Sequence, residues 1–168
     1  LGDAPLPPLD HARPLVEESL AIWRELGDRK GVARCLSALA TIAIFQNALA
    51  EARAWSAESL AVYRELGQAR GVAIALHNLG HVALSQGDLD EAQARYEEEV
   101  KVLASTGDDR LLAQALSDFG RVSTRRGEWE AGRMRFATAL GLARGLGARR
   151  EAAYALEGVA ELAVARGE

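Results

Sequence analysis

Apolar residues recur every three or four positions along almost the whole chain. In VAIALHNLGHVAL they fall at Val72, Ala75, Leu76, Leu79, Val82 and Ala83, the spacing that lines one face of a buried helix. In LDEAQARYEEEVKVL they fall at Leu89, Ala92, Tyr96, Val100 and Leu103. Between the two stripes stand Gly87, suited to the left-handed position after a helix end, and Asp88, a good N-cap. Glu91, three residues on, predicts a capping box with Asp88. The pattern therefore predicts two antiparallel helices joined by a tight turn.

The same frame returns every 40 residues without a gap. Residues 9–48 and 49–88 are identical at 18 of 40 positions. Leu36, Leu76, Leu116 and Leu156 share one column; Leu39, Leu79, Phe119 and Val159 share another. Gly27, Gly67, Gly107 and Gly147 mark one turn, and Asn47, Gly87, Gly127 and Gly167 the other. A period of this length means stacked supersecondary units, none of which buries its apolar face alone. The expected architecture is all-α, a right-handed superhelical solenoid of antiparallel helix pairs, with about eight helices. Residues 1–8 are expected to be a lead-in, and 9–168 one array. The array divides into a partial pair 9–27, full pairs 28–67, 68–107 and 108–147, and a lone helix 148–168. The proline-rich GDAPLPP opening and the final RGE, which continues as RGEWE in the third unit, make the chain read as a piece of a longer array.

The second unit carries a more specific pattern. Leu76-x-x-Leu79-Gly80-x-x-Ala83, followed by Ala92-x-x-x-Tyr96, resembles the tetratricopeptide repeat. Phe119-Gly120, Gly132 and Phe136 repeat it in the third unit. The chain departs from the family in its 40-residue period and in Arg64 and Ala104, which stand where the signature proline would be. It is similar to the long-helix variants of kinesin light chains and bacterial peptide-sensing regulators, and most of all to the C-terminal arrays of STAND ATPases and LuxR-type regulators. The resemblance implies a protein- or peptide-binding scaffold, the sensor or interaction segment of a larger bacterial regulator.

Composition agrees with a binding surface. The net charge of −4 gives no reason to expect direct nucleic-acid affinity. No apolar run approaches the length of a membrane span and no signal peptide is present, so a cytoplasmic setting is expected. Arginine far outnumbers lysine, a bacterial hint. Cys35 is the single cysteine and shares a column with Ala75, Ala115 and Ala155, which predicts an inert core thiol. Residues 85–109 hold eight acidic and two basic residues and 110–150 nine arginines and three acidic residues, and the Glu97-Glu98-Glu99 run reads as part of a solvated face. Trp23, Tyr63 and Leu103 share a column and predict packing between units. Trp55 and Phe45 fit no core column and suggest an apolar contact patch.

No nucleophilic triad, phosphate loop or zinc-finger spacing is present, so no enzyme activity and no cofactor are expected. His77 and His81, four apart on one helix, could hold a metal if a third ligand such as Asp118 converged, a remote alternative. The stronger expectation is a concave groove lined by columns that the core frame does not dictate. These are Arg34, Ser37 and Thr41; His77, Asn78 and His81; Gln114, Ser117, Asp118 and Arg121; and Tyr154 and Glu157. Asn78 could grip a bound peptide backbone through both atoms of its amide. A structural spacer or oligomerisation arm remains the alternative, with end-to-end self-association expected through uncapped terminal units.

Overall fold

The computed structural model describes residues 12–167. Among them the chain forms eight helices and no strand: α1 (Ala12–Glu25), α2 (Arg29–Phe45), α3 (Leu49–Glu65), α4 (Ala69–Ser85), α5 (Leu89–Ala104), α6 (Asp109–Arg125), α7 (Trp129–Gly145) and α8 (Arg149–Arg166). The expected lead-in and the start of the first helix lie outside the described residues. The helices build a right-handed solenoid of antiparallel pairs, α2 with α3, α4 with α5 and α6 with α7. α1 packs on α2, and α8 on α7 and α6.

The turns form as the glycine columns predict. Gly87 has φ +79°, and Asn47, which takes the same position one repeat earlier, has φ 57°. At Gly87 the Asp88 N–H reaches the Ala83 carbonyl at 2.9 Å, which closes the end of α4. Asp88 also caps α5, its carboxylate accepting from the Glu91 N–H at 3.0 Å. The capping box forms only by half. Glu91 turns away to accept from Arg53 of α3 at 2.8 and 2.7 Å, because the Asp88 N–H is already taken. The same side chain thus ties one repeat to the next.

Small residues and rings set the spacing of the layers. A side chain at Gly80 would meet the Tyr96 ring at 2.9 Å, and one at Gly120 the Phe136 ring at 2.7 Å. Tyr96 and Phe136 are fully enclosed. Trp23 lies against Gly31 and Tyr63 against Gly71, so this aromatic column does pack between units. Cys35 is buried, its Sγ 3.5 Å from the Ser19 hydroxyl. Trp55 is half-buried between two core clusters and beneath the Arg13 guanidinium, so it is no part of a contact patch; Phe45 is 81 % exposed.

The first helices of successive units approach one another unevenly. α2 packs directly on α4, and α6 packs directly on α8. α4 and α6, which occupy equivalent positions, have no comparable approach. That gap holds the features described next.

Candidate functional site

Three repeat columns meet wherever one unit joins the next. At the first junction they hold Ser37 (α2), Ser59 (α3) and Asn78 (α4). At the second they hold His77 (α4), Glu99 (α5) and Asp118 (α6), each 40 residues on. At the third they hold Ser117, Ala139 and Gly158. All nine positions are buried or nearly so; His77 keeps 24 % of its side chain exposed. The middle junction alone carries ionisable groups.

His77 Nδ1 lies 3.4 Å from Glu99 Oε1 and 3.8 Å from Asp118 Oδ2. Its ring meets Tyr96 edge-on, with centroids 5.9 Å apart. Burial alone would favour the neutral ring, but the Glu99 carboxylate, aided by Asp118, outweighs it and pushes the pKa up to about 9. Burial raises Glu99 above the usual carboxylate range, with Asp118 adding to the rise and His77 opposing it. His81, one turn on, is pulled below the ordinary histidine range by burial and then by the His77 charge.

Asp118 is better supplied than Glu99. The Tyr154 hydroxyl donates to its Oδ1 at 2.6 Å, and Arg121 Nη1 stands 3.5 Å from the same oxygen. Arg121 also donates to Glu161 at 3.1 Å and stacks over the Tyr154 ring at 3.8 Å. Glu99 has His77 as its named partner, and its Oε2 is buried without a hydrogen bond. Asn78 Nδ2 is in the same condition.

Above this floor opens a cavity of about 310 Å³. Ile44 and Phe45 of α2, Ile74 of α4 and Leu111 of α6 form its apolar walls. Thr41, His81 and Gln114 supply polar groups; His77, Asn78 and Glu99 also line it. A mostly apolar hollow with a few polar groups is the usual form of a ligand site.

Several groove positions differ from their sequence expectation. Ser37 and Ser117 are buried, and the Ser117 hydroxyl donates to the Ala113 carbonyl at 3.0 Å, so neither faces a ligand. Asn78 and Asp118 are buried rather than open to solvent, because each sits at a junction between units: Asn78 with Ser37 and Ser59, Asp118 with His77 and Glu99. Arg34 points to Trp23 of α1 and does not line the cavity. Arg121, Tyr154 and Glu157 gather with Glu161, touch the junction only through Asp118, and do not line the cavity. Thr41, His77, His81 and Gln114 do converge. Among the described residues no group of three or more His, Cys, Asp or Glu is arranged to hold a metal.

Sequence reasoning missed Glu99. Glu97 pairs with Lys101 and Glu98 with Arg64, as a solvated face predicts, but Glu99 turns inward and is 4 % exposed. A signal was available: Glu99 shares its column with Ser19, Ser59 and Ala139, all small, which is the mark of a position facing a neighbouring helix.

A family model described as tetratricopeptide repeat matches residues 9–65, 45–105 and 71–144. No curated protein matches the chain in sequence. Among solved structures, the Rap protein complexed with competence and sporulation factor is similar at TM-score 0.82 and 16 % identity, over 95 % of this chain and 44 % of that one. BtubC (BKLC) from P. vanneervenii is similar at 0.79 and 17 %, over 96 % and 68 %. A Podosopora anserina structure of nearly identical kinesin light chain repeats follows at 0.69 and 16 %, over 95 % and 82 %. At these identities the likeness concerns the fold.

Proposed function

The chain belongs to the tetratricopeptide repeat family, and from that premise we propose that it holds a protein or peptide ligand along its concave face. The observation that carries this reading is the cavity between α2, α4 and α6, apolar in its walls and polar in its floor, placed mid-groove where the helices stand apart. The Rap structure, which holds a bound factor, lends support by its similar fold. Residues 9–168 act as one array, and the array serves as the sensor or interaction segment of a larger bacterial regulator of the STAND ATPase or LuxR type, working in the cytoplasm and without catalysis. Among the described residues no helix is long and apolar enough to cross a membrane.

A second reading, an oligomerisation arm, draws on α8. Leu156, Val159 and Val164 are exposed there, although Leu162 is buried. Sedimentation across a concentration series tests it; a single monomeric species throughout counts against it.

The test of the main reading is binding of an immobilised random-octapeptide library, followed by affinity measurement on the peptides recovered. The exposed groove variants His81→Ala and Gln114→Ala should weaken binding, and the convex-face variant Glu98→Ala should not. Equal affinity in all three would move the site off the concave face.

A further inference from the structure

We propose that the cavity between α4 and α6 is a subsite for one basic side chain of the bound peptide, a lysine or arginine whose charged head reaches Glu99 and whose methylene stem lies against Phe45, Ile74 and Leu111. The proposal rests on the peptide-binding reading above and gives it a chemistry. Glu99 is almost fully enclosed, yet its Oε2 has no hydrogen-bond partner. Its other oxygen faces His77 at 3.4 Å, well beyond the roughly 2.7–2.9 Å of a strong charge-assisted bond. A buried carboxylate so poorly supplied is costly, and incoming N–H donors offset that cost.

Charge selects a cation over a neutral amide. At the junction itself two carboxylates, Glu99 and Asp118, face one cation, His77, and Arg121 behind Asp118 is shared with Glu157 and Glu161. No lysine or arginine lines the cavity. His81 at the rim is held toward its neutral form, so it does not repel an incoming charge. The walls suit the stem, since lysine and arginine bury their methylenes while directing the head to a polar partner. At about 310 Å³ the space takes one long side chain rather than a run of residues.

The experiment selects the octapeptide library on the intact chain and then measures affinities for wild type, Glu99→Gln, Phe45→Ala and the exposed control Glu97→Gln. Phe45 lies on the open rim, so its variant keeps the test valid if Glu99→Gln fails to fold, which circular dichroism reports. Enrichment of lysine or arginine is expected, with affinity falling about 10- to 100-fold in Glu99→Gln, several-fold in Phe45→Ala, and unchanged in Glu97→Gln. Peptides that bind without basic enrichment, or equally well to Glu99→Gln, overturn the subsite and leave the peptide reading standing. A parallel titration with n-butylguanidinium separates the remaining outcomes. If it binds through Glu99 while no peptide does, the cavity serves a free small organic cation and both the peptide reading and this proposal fall. If neither binds, both fall as well.

Discussion

The first and second unit junctions use the same backbone and the same three columns, with opposite results. Ser37, Ser59 and Asn78 are compact, and α2 and α4 pack together over them. His77, Glu99 and Asp118 are larger and charged, and α4 and α6 stay apart. The third junction completes the series: Ser117, Ala139 and Gly158 are the smallest set, and α6 packs most extensively on α8 there. In a solenoid each interface is nearly independent, so side-chain volume at one junction opens the groove locally without disturbing its neighbours. A cavity is thus made by enlarging three positions of an otherwise uniform repeat.

The harshest way to break this comparison is to put the charged residue of the second junction into the third. Gly158→Asp places a carboxylate against the Phe136 ring, where an added side chain overlaps ring atoms. Overpacking and an unpaired buried charge together should cost about 4 kcal/mol or more. Because α8 is the last helix described, the loss should appear as rapid hydrogen exchange across 149–166, with α4 and α5 still protected. Unaltered protection of α8 would sink the volume argument.

Removing the cation from the middle junction comes next. His77→Ala leaves Glu99 and Asp118 facing one another, and stability at pH 7 should fall by about 3 kcal/mol in urea titrations. A loss below about 1 kcal/mol would mean that the carboxylates do not depend on the imidazole.

The charged junction should also betray itself through pH. Folded His77 titrates near 9, above its ordinary 6.5. Its contribution is therefore fully present below about pH 6.5 and lost as pH rises through 9, on the order of 2–3 kcal/mol. Glu99, raised as well, also binds its proton more tightly when folded, so it too makes stability fall with rising pH. The groups facing this ring are Glu99, Asp118, Tyr96 and His81. Stability measured at pH 6 and pH 9.5 checks the sign; a rise toward pH 9.5 contradicts it.

The gentlest test writes the first junction into the second. His77→Ser, Glu99→Ser and Asp118→Asn combined should stay within about 1 kcal/mol of wild type, since removing every charge together strands none of them and the same three residues already pack at the first junction. The pH dependence should vanish and α4 should close on α6, erasing the cavity. A crystal structure of the triple variant with the gap still open would show that something other than these side chains holds it.

The repeat frame was open to reading because it is local and redundant. One period recurs through Leu36, Leu76, Leu116 and Leu156, and every turn carries Gly or Asn where a left-handed backbone is required. Helix stripes and turn residues act within a few positions of one another, so helix bounds and pairing follow from sequence spacing alone. The groove was legible only in part. Thr41, His77, His81 and Gln114 line one cavity, whereas Ser37, Ser117 and Asn78 are buried.

What tertiary structure alone decided is which way a polar side chain near a helix–helix junction turns. Glu97, Glu98 and Glu99 are the same residue three times over, and the sequence assigns them one solvated face. On the folded array Glu97 meets Lys101 in solvent, Glu98 meets Arg64 of the preceding unit, and Glu99 points between α4 and α6 to His77. Successive residues of a helix are about 100° apart, so neighbours of identical chemistry are sent to different surroundings. The period thus determined the scaffold. The ionisable centre arose only where residues 77, 99 and 118, far apart in the chain, were brought together by the stacking of the units, with the two carboxylates 3.4 and 3.8 Å from His77 Nδ1.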